Sequence, residues 1–96
     1  MHIFLIGAAI STERDVHEAL ATQLEFGELY GWNLPALRDR LLTDVPRPVL
    51  VTWQDSEMSR SRLGDDLYGQ IRAIFEEART QDLEFGWVDR FDYELQ

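Results

Sequence analysis

The chain has 96 residues, 45% of them hydrophobic and 11% aromatic, which is ample material for one packed core and excludes a disordered chain. It has no cysteine, so a disulfide framework, a thiolate metal site and a cysteine nucleophile are excluded together. Eighteen acidic residues against nine arginines and no lysine leave a net charge of −9, a field that repels nucleic acid and anionic membranes and attracts a cationic partner. Acidity of this size also serves solubility alone, so charge permits an interaction role without establishing one.

In chain order, His2 to Gly7 is a near-continuous apolar run, which reads as a parallel-sheet strand covered on both faces and ended by Gly7. Thr12 with Asp15 three residues on forms an acidic variant of the capping box. Val16, Ala19, Leu20 and Leu24 then recur at helical spacing, which predicts a helix over 13–25 closed by Gly27. The stretch 28–33 sets two aromatics beside a glycine without a period and reads as a loop. Asn33 caps a short second helix that tolerates Pro35 in its first turn and ends near Leu42 or Thr43. On its wheel Leu34, Leu37 and Leu41 share the buried stripe, Arg38 lies on the flank and Asp39 points outward.

Pro46-Arg47-Pro48 stops that pattern, and Val49 to Trp53 is a β-branched, aromatic run that reads as the second strand. The polar stretch 54–64 is expected to be a mobile surface loop, with Ser56, Ser59 and Ser61 solvated in it. Asp65 and Asp66 favour a helix start, and Leu67, Ile71, Ile74, Phe75 and Ala78 carry the helical period to about Gln81. Leu83, Phe85 and Trp87 alternate with polar or small residues, which predicts a final strand near a sheet edge and leaves 89–96 as a charged, fraying tail. The sum is a single α/β domain over 1–96: a small parallel three-stranded sheet with helices packed on it. The apolar start is too short for a signal peptide and no run reaches the ~20 apolar residues of a membrane span, so the expected location is the cytoplasm.

Enzymatic chemistry finds little footing. Gly7-Ala8-Ala9 is far from a dinucleotide loop, and no lysine exists to serve a phosphate loop. His2 and His17 have no metal-ligand spacing, and His17 reads as a structural or surface histidine. The serines lack a nearby histidine or a nucleophile elbow. Adjacent Glu76 and Glu77 point about 100° apart on a helix, so they do not share a proton and one is expected to face outward alone. No cofactor is implied.

Four ordered blocks over roughly the first 88 residues together resemble the signature of one known family. Asp15-Val16-His17-Glu18-Ala19-Leu20 resembles the family's Asp-Leu-His-x-x-Leu, and Pro48 to Trp53 resembles its Pro-Leu-x-x-x-Trp strand. Phe75-Glu76-Glu77-Ala78-Arg79 resembles Phe-x-Glu-Ala-Lys. The most specific block is Tyr30-Gly31-Trp32-Asn33-Leu34-Pro35-Ala36-Leu37-Arg38-Asp39, similar to Tyr-Gly-x-Asn-Leu-Asp-Ala-Leu-Trp-Asp.

The family they resemble is barstar, the intracellular ribonuclease inhibitors, and the resemblance implies a barstar-like fold and an inhibitor, not an enzyme, whose loop and second helix block the cationic active site of a basic ribonuclease in an immunity or antitoxin role. It places the partner surface on Leu29, Tyr30, Gly31, Trp32, Asn33, Pro35, Arg38, Asp39, Thr43 and Asp44, with Glu77 as a second acidic contact. It also implies a monomer when free and a 1:1 complex with the target. Asp39 falls on the dominant acidic contact, where a carboxylate takes the place of a phosphate. The departures point to a changed target: Pro35 replaces an acidic contact, Arg38 an aromatic one, and Leu29 and Asp44 also stand where the family often has aromatics. Arg38 suits a cationic site only if it pairs internally or meets an acid on the partner. Trp32 serves either as a replacement anchor or as a lid on the core. The alternative function is an acidic interaction module that binds a basic non-nuclease partner; a flavodoxin-like enzyme is a more distant third.

Overall fold

The computed structural model describes all 96 residues. The chain runs β1 (His2–Ile6), a 3-10 turn (Gly7–Ala9), α1 (Glu13–Leu24), α2 (Leu34–Asp39) continued by a π-helical turn (Arg40–Asp44), β2 (Val49–Gln54), α3 (Ser56–Leu63), α4 (Asp65–Glu84) and β3 (Phe91–Leu95). The strands form one parallel sheet in the order β1-β2-β3, with Ile3 opposite Val51 and Val51 opposite Tyr93. The expected α/β architecture, a three-stranded parallel sheet with helices packed on it, is the one observed.

The core gathers Ile3 and Leu5 of β1, Val49, Val51 and Trp53 of β2, and Phe91 of β3 against Val16, Leu20, Leu37, Leu41, Ile71 and Phe75 of the helices. β1 is not covered on both faces, as its apolar run suggests. Ile3 and Leu5 are buried while Phe4 and Ile6 remain 40% and 44% exposed, because a single helical layer packs only one face of so small a sheet. On the second face Thr52 is shielded by side chains: its hydroxyl donates to Glu94 Oε1 at 3.1 Å and lies 2.6 Å from His2 Nε2. The β1 edge is closed by Gln23, whose carboxamide accepts from the Phe4 amide at 2.9 Å and donates to the Phe4 carbonyl at 2.7 Å, as a neighbouring strand would. Gly7 is required where the chain leaves β1, since a Cβ there would lie 2.0 Å from the Asp55 carbonyl oxygen.

The capping box of α1 forms as expected, with Thr12 Oγ1 accepting from the Asp15 amide and Asp15 accepting from the Thr12 and Ser11 amides. The helix ends at Leu24, one residue before the predicted limit, because Glu25 itself takes the left-handed cap conformation (φ 54°) ahead of Gly27.

The expected loop over 54–64 is instead α3. Its inward positions are serines, so no apolar period marks it: Ser59 Oγ accepts from Trp53 Nε1 at 2.9 Å and donates to the Gly7 carbonyl, and Ser56 Oγ donates to the Gln96 carbonyl at 3.0 Å. Of the three serines only Ser61 is solvated. The last strand is also displaced. Leu83 belongs to α4, and Phe85 and Trp87 lie in the turn after it, all three exposed. Gly86 (φ 71°) closes a Schellman cap there, with the Trp87 amide donating to the Asp82 carbonyl and the Gly86 amide to that of Leu83. The strand falls on 91–95, within the tail expected to fray, and its Phe91 is fully buried.

One buried ion pair fastens these parts together. Asp82, fully buried, accepts from Arg47 Nε at 2.8 Å and Nη2 at 3.2 Å, and from the Phe91 amide at 2.7 Å. Arg47 in turn donates to the Val45 and Leu41 carbonyls, each at 2.7 Å, which satisfies groups the π turn leaves open. Burial alone would raise the Asp82 pKa, but the hydrogen bonds from Arg47, the Phe91 amide and Gln81, with the Arg47 charge, hold it below the ordinary 3.8.

Two outcomes follow for stability. Asp82→Ala strands a buried guanidinium and is expected to cost about 3–5 kcal/mol in urea unfolding. Because the folded-state pKa is depressed, the stabilisation from Asp82 is complete above the ordinary carboxyl range and is lost as pH falls through the lower folded value. Acid unfolding monitored by tryptophan fluorescence should therefore show an acid-side loss of stability that is diminished in Asp82→Asn.

Candidate functional site

α2 and the loop before it are held from beneath by an aromatic and cationic cluster. Tyr30 is buried, its hydroxyl 2.6 Å from His17 Nδ1, while His17 Nε2 lies 2.9 Å from Glu13 Oε2. His17 is thus the structural residue expected of it, spending both ring nitrogens on holding the loop to α1. Arg40 lies over the Phe26 and Tyr30 rings and donates to the Phe26 carbonyl at 2.9 Å. Burial, with Glu13 adding to it and Arg40 opposing, pushes the Tyr30 pKa up to about 12.

Trp32 sits on this base in the left-handed region (φ 55°), an uncommon conformation for a bulky residue. It is fixed there by Tyr30 on one side and the Asn33 cap on the other. Its ring packs edge-on to His17 and carries the Arg14 guanidinium 4.7 Å from its centroid, with 37% of the residue exposed. The tryptophan is therefore part lid and part surface. Asn33 caps α2 through its Oδ1, which accepts from the Ala36 amide at 2.8 Å, and its Nδ2 donates to the Gly31 carbonyl. Gly31 leaves little space for a side chain, since a Cβ would lie 3.1 Å from that of Ala36. Leu29, at the loop tip, is 94% exposed.

Along α2 and the π turn the exposed residues are Pro35, Arg38, Asp39, Thr43 and Asp44. Three carboxylates stand at this face, and their pairing differs. Glu77 of α4 takes a forked contact from Arg38, with Nε at 2.6 Å and Nη2 at 2.9 Å. Asp44 faces Arg40 at 3.7 Å and accepts from Thr43 Oγ1. The Asp39 carboxylate makes no hydrogen bond and no ion pair; Thr43 Oγ1 donates to the backbone carbonyl of Asp39, not to its side chain. The contact from Arg38 holds the Glu77 carboxyl below its ordinary range, and Glu77, with a smaller contribution from Asp39, raises the guanidinium. Both partners of this pair are about half exposed, so it adds little to stability.

Of the residues singled out from sequence, Leu29, Gly31, Trp32, Pro35, Arg38, Asp39, Thr43, Asp44 and Glu77 lie at the surface, whereas Tyr30 is buried and Asn33, though exposed, is engaged in capping. Neither Glu76 nor Glu77 stands alone, contrary to expectation: Glu76 accepts from the Tyr93 hydroxyl at 2.7 Å and faces Arg79, and Glu77 is taken by Arg38. Nothing in the sequence marks Arg14 and Arg40, among nine arginines, as the ones that stack on the rings of this cluster.

The arrangement is that of an α/β protein presenting one unpaired carboxylate on a short, rigidly capped helix. The barstar family, described as barstar (barnase inhibitor), matches residues 1–91, and the chain belongs to that family. Members of the family are inhibitors rather than enzymes, and membership implies inhibition of the barnase kind, by binding a ribonuclease.

The base of the loop can be checked directly. Tyrosinate absorbance should show a titration near pH 12 that disappears in Tyr30→Phe, and a difference between wild type and variant that titrates in the ordinary tyrosine range would contradict the packing described.

Proposed function

We propose that this protein inhibits a ribonuclease as part of an immunity or antitoxin pair, by presenting Asp39 to the enzyme's cationic site in place of a substrate phosphate. The observation that carries this reading is that Asp39 alone among the carboxylates of the α2 face is unpaired. A ribonuclease must hold a phosphodiester, so its site concentrates cationic donors; a carboxylate already fixed on a capped helix meets them at little further entropic cost. The net charge of −9 speeds the encounter with a basic enzyme by long-range attraction.

The surroundings of Asp39 favour a divergent target over barnase itself. Leu29 and Asp44 offer no aromatic anchor, Pro35 offers no second carboxylate, and Glu77 is already engaged by Arg38. Leu29 and Trp32 supply the apolar contact on the loop side, with the complex formed one to one. No helix is long and apolar enough to cross a membrane.

Purification of the tagged protein from its native extract at low salt, followed by a ribonuclease assay of what stays bound, tests the function. With the recovered enzyme, Asp39→Ala should lose about 2–5 kcal/mol of binding, mostly through faster dissociation. Wild-type affinity in that variant would remove Asp39 from the mechanism, and recovery of a non-nuclease partner that the variant retains would remove the inhibitor reading.

A further inference from the structure

We infer that Arg38 is a specificity determinant: by clamping Glu77 it withdraws a second carboxylate from the binding face and disfavours ribonucleases whose site is cationic enough to engage two. The inference rests on the inhibitor reading above. Its basis is the geometry of the pair, which joins residues 39 positions apart and bridges α2 to α4. Nε and Nη2 both engage the Glu77 carboxylate in the planar fork that arginine forms and lysine cannot.

The clamp leaves the face with a particular chemistry. Asp44 is matched by Arg40 and Glu77 by Arg38, so one carboxylate of three remains unmatched. Arg38 also rims a shallow groove between α2 and α4, lined by Leu34, Pro35, Gln70, Ala73 and Ile74. Its Nη1 has no partner within the chain and is free to donate outward. The partner that fits this surface carries its cations opposite Asp39 alone. Opposite Arg38 it presents an acceptor oxygen beside an apolar group. An enzyme with a cation at that second position meets an arginine instead of a carboxylate, and binding it requires breaking the fork or tolerating like charge.

Barnase, the enzyme that gives the family its description, is the probe. Arg38→Ala frees Glu77 and is expected to bind barnase about tenfold tighter than wild type, with Arg38→Lys in between. Arg38→Gln is the second variant should alanine perturb the helix, and circular dichroism confirms that each is folded. Arg90 is exposed and in no ion pair, so Arg90→Ala makes the same change in net charge away from the pair and should stay within about twofold of wild type. Adding Glu77→Gln to Arg38→Ala should return the affinity to the wild-type level.

The inference falls if Arg38→Ala and Arg38→Gln bind barnase no better than Arg90→Ala, or if the gain survives Glu77→Gln. Asp39→Ala separates this inference from the reading beneath it. If Asp39→Ala alone weakens binding while Arg38→Ala still gains in that background, both stand; if Asp39→Ala alone changes nothing and the gain remains, the clamp stands and the Asp39-centred mechanism does not.

Discussion

The Arg47–Asp82 pair is the constraint on which the rest of the molecule depends. A carboxylate with no solvent exposure is tolerable only when its charge and its lone pairs are met, and here they are met by a guanidinium and a backbone amide from two other parts of the chain. Its position explains its reach. Asp82 is on the last full turn of α4, Arg47 follows the π turn that completes the α2 segment, and Phe91 begins the edge strand. One buried node thereby sets where the binding helix ends, where the long helix lies and where the third strand starts. The π turn is consistent with this: its widened hydrogen bonding leaves the Leu41 carbonyl for Arg47 to satisfy.

The loop and helix that carry the proposed interface are rigid for a related reason. Their inner side is fastened by groups with no freedom left: His17 between Tyr30 and Glu13, Arg40 on two rings and a carbonyl, Asn33 in its cap. A binding surface that is already ordered loses less entropy on association. The left-handed backbone at Trp32 is a local cost accepted at this surface, and it occurs where the residues on either side are most tightly held. Arginine does nearly all of the cationic work in this protein, and it does so through planar stacking and forked hydrogen bonds, neither of which lysine would provide.

Where the sequence misled, the cause was a residue doing something other than what its class suggests. α3 was invisible to apolar periodicity because its buried positions are Ser56 and Ser59, which serve the Trp53 indole, the Gly7 carbonyl and the chain end. The alternation of Leu83, Phe85 and Trp87 imitated a strand, yet those side chains stand in solvent on a helix end and its Schellman turn. The strand at Phe91–Leu95 has the composition of a charged tail, since Asp92 and Glu94 lie on its exposed side and only Phe91 is fully buried. In each case the local pattern carries no information on which face the tertiary structure covers.

What the sequence by itself determined was everything that rests on near neighbours: the Thr12–Asp15 box, the Asn33 cap, the apolar stripe of α2 with Asp39 on its outer side, the β2 strand, and the family's signature blocks. These depend on spacings of a few residues, where backbone geometry leaves little choice. Only the tertiary structure decided the pairings: Arg47 with Asp82 across 35 positions, Arg38 with Glu77 across 39, Trp53 with Ser59 at the junction of β2 and α3. A charged side chain on the sequence is a donor or acceptor with many candidate partners, and its partner is chosen by which elements the packed core brings within about 3 Å of one another. Asp39 was therefore legible as an outward carboxylate, whereas its being the one left unpaired at its face was a property of the fold.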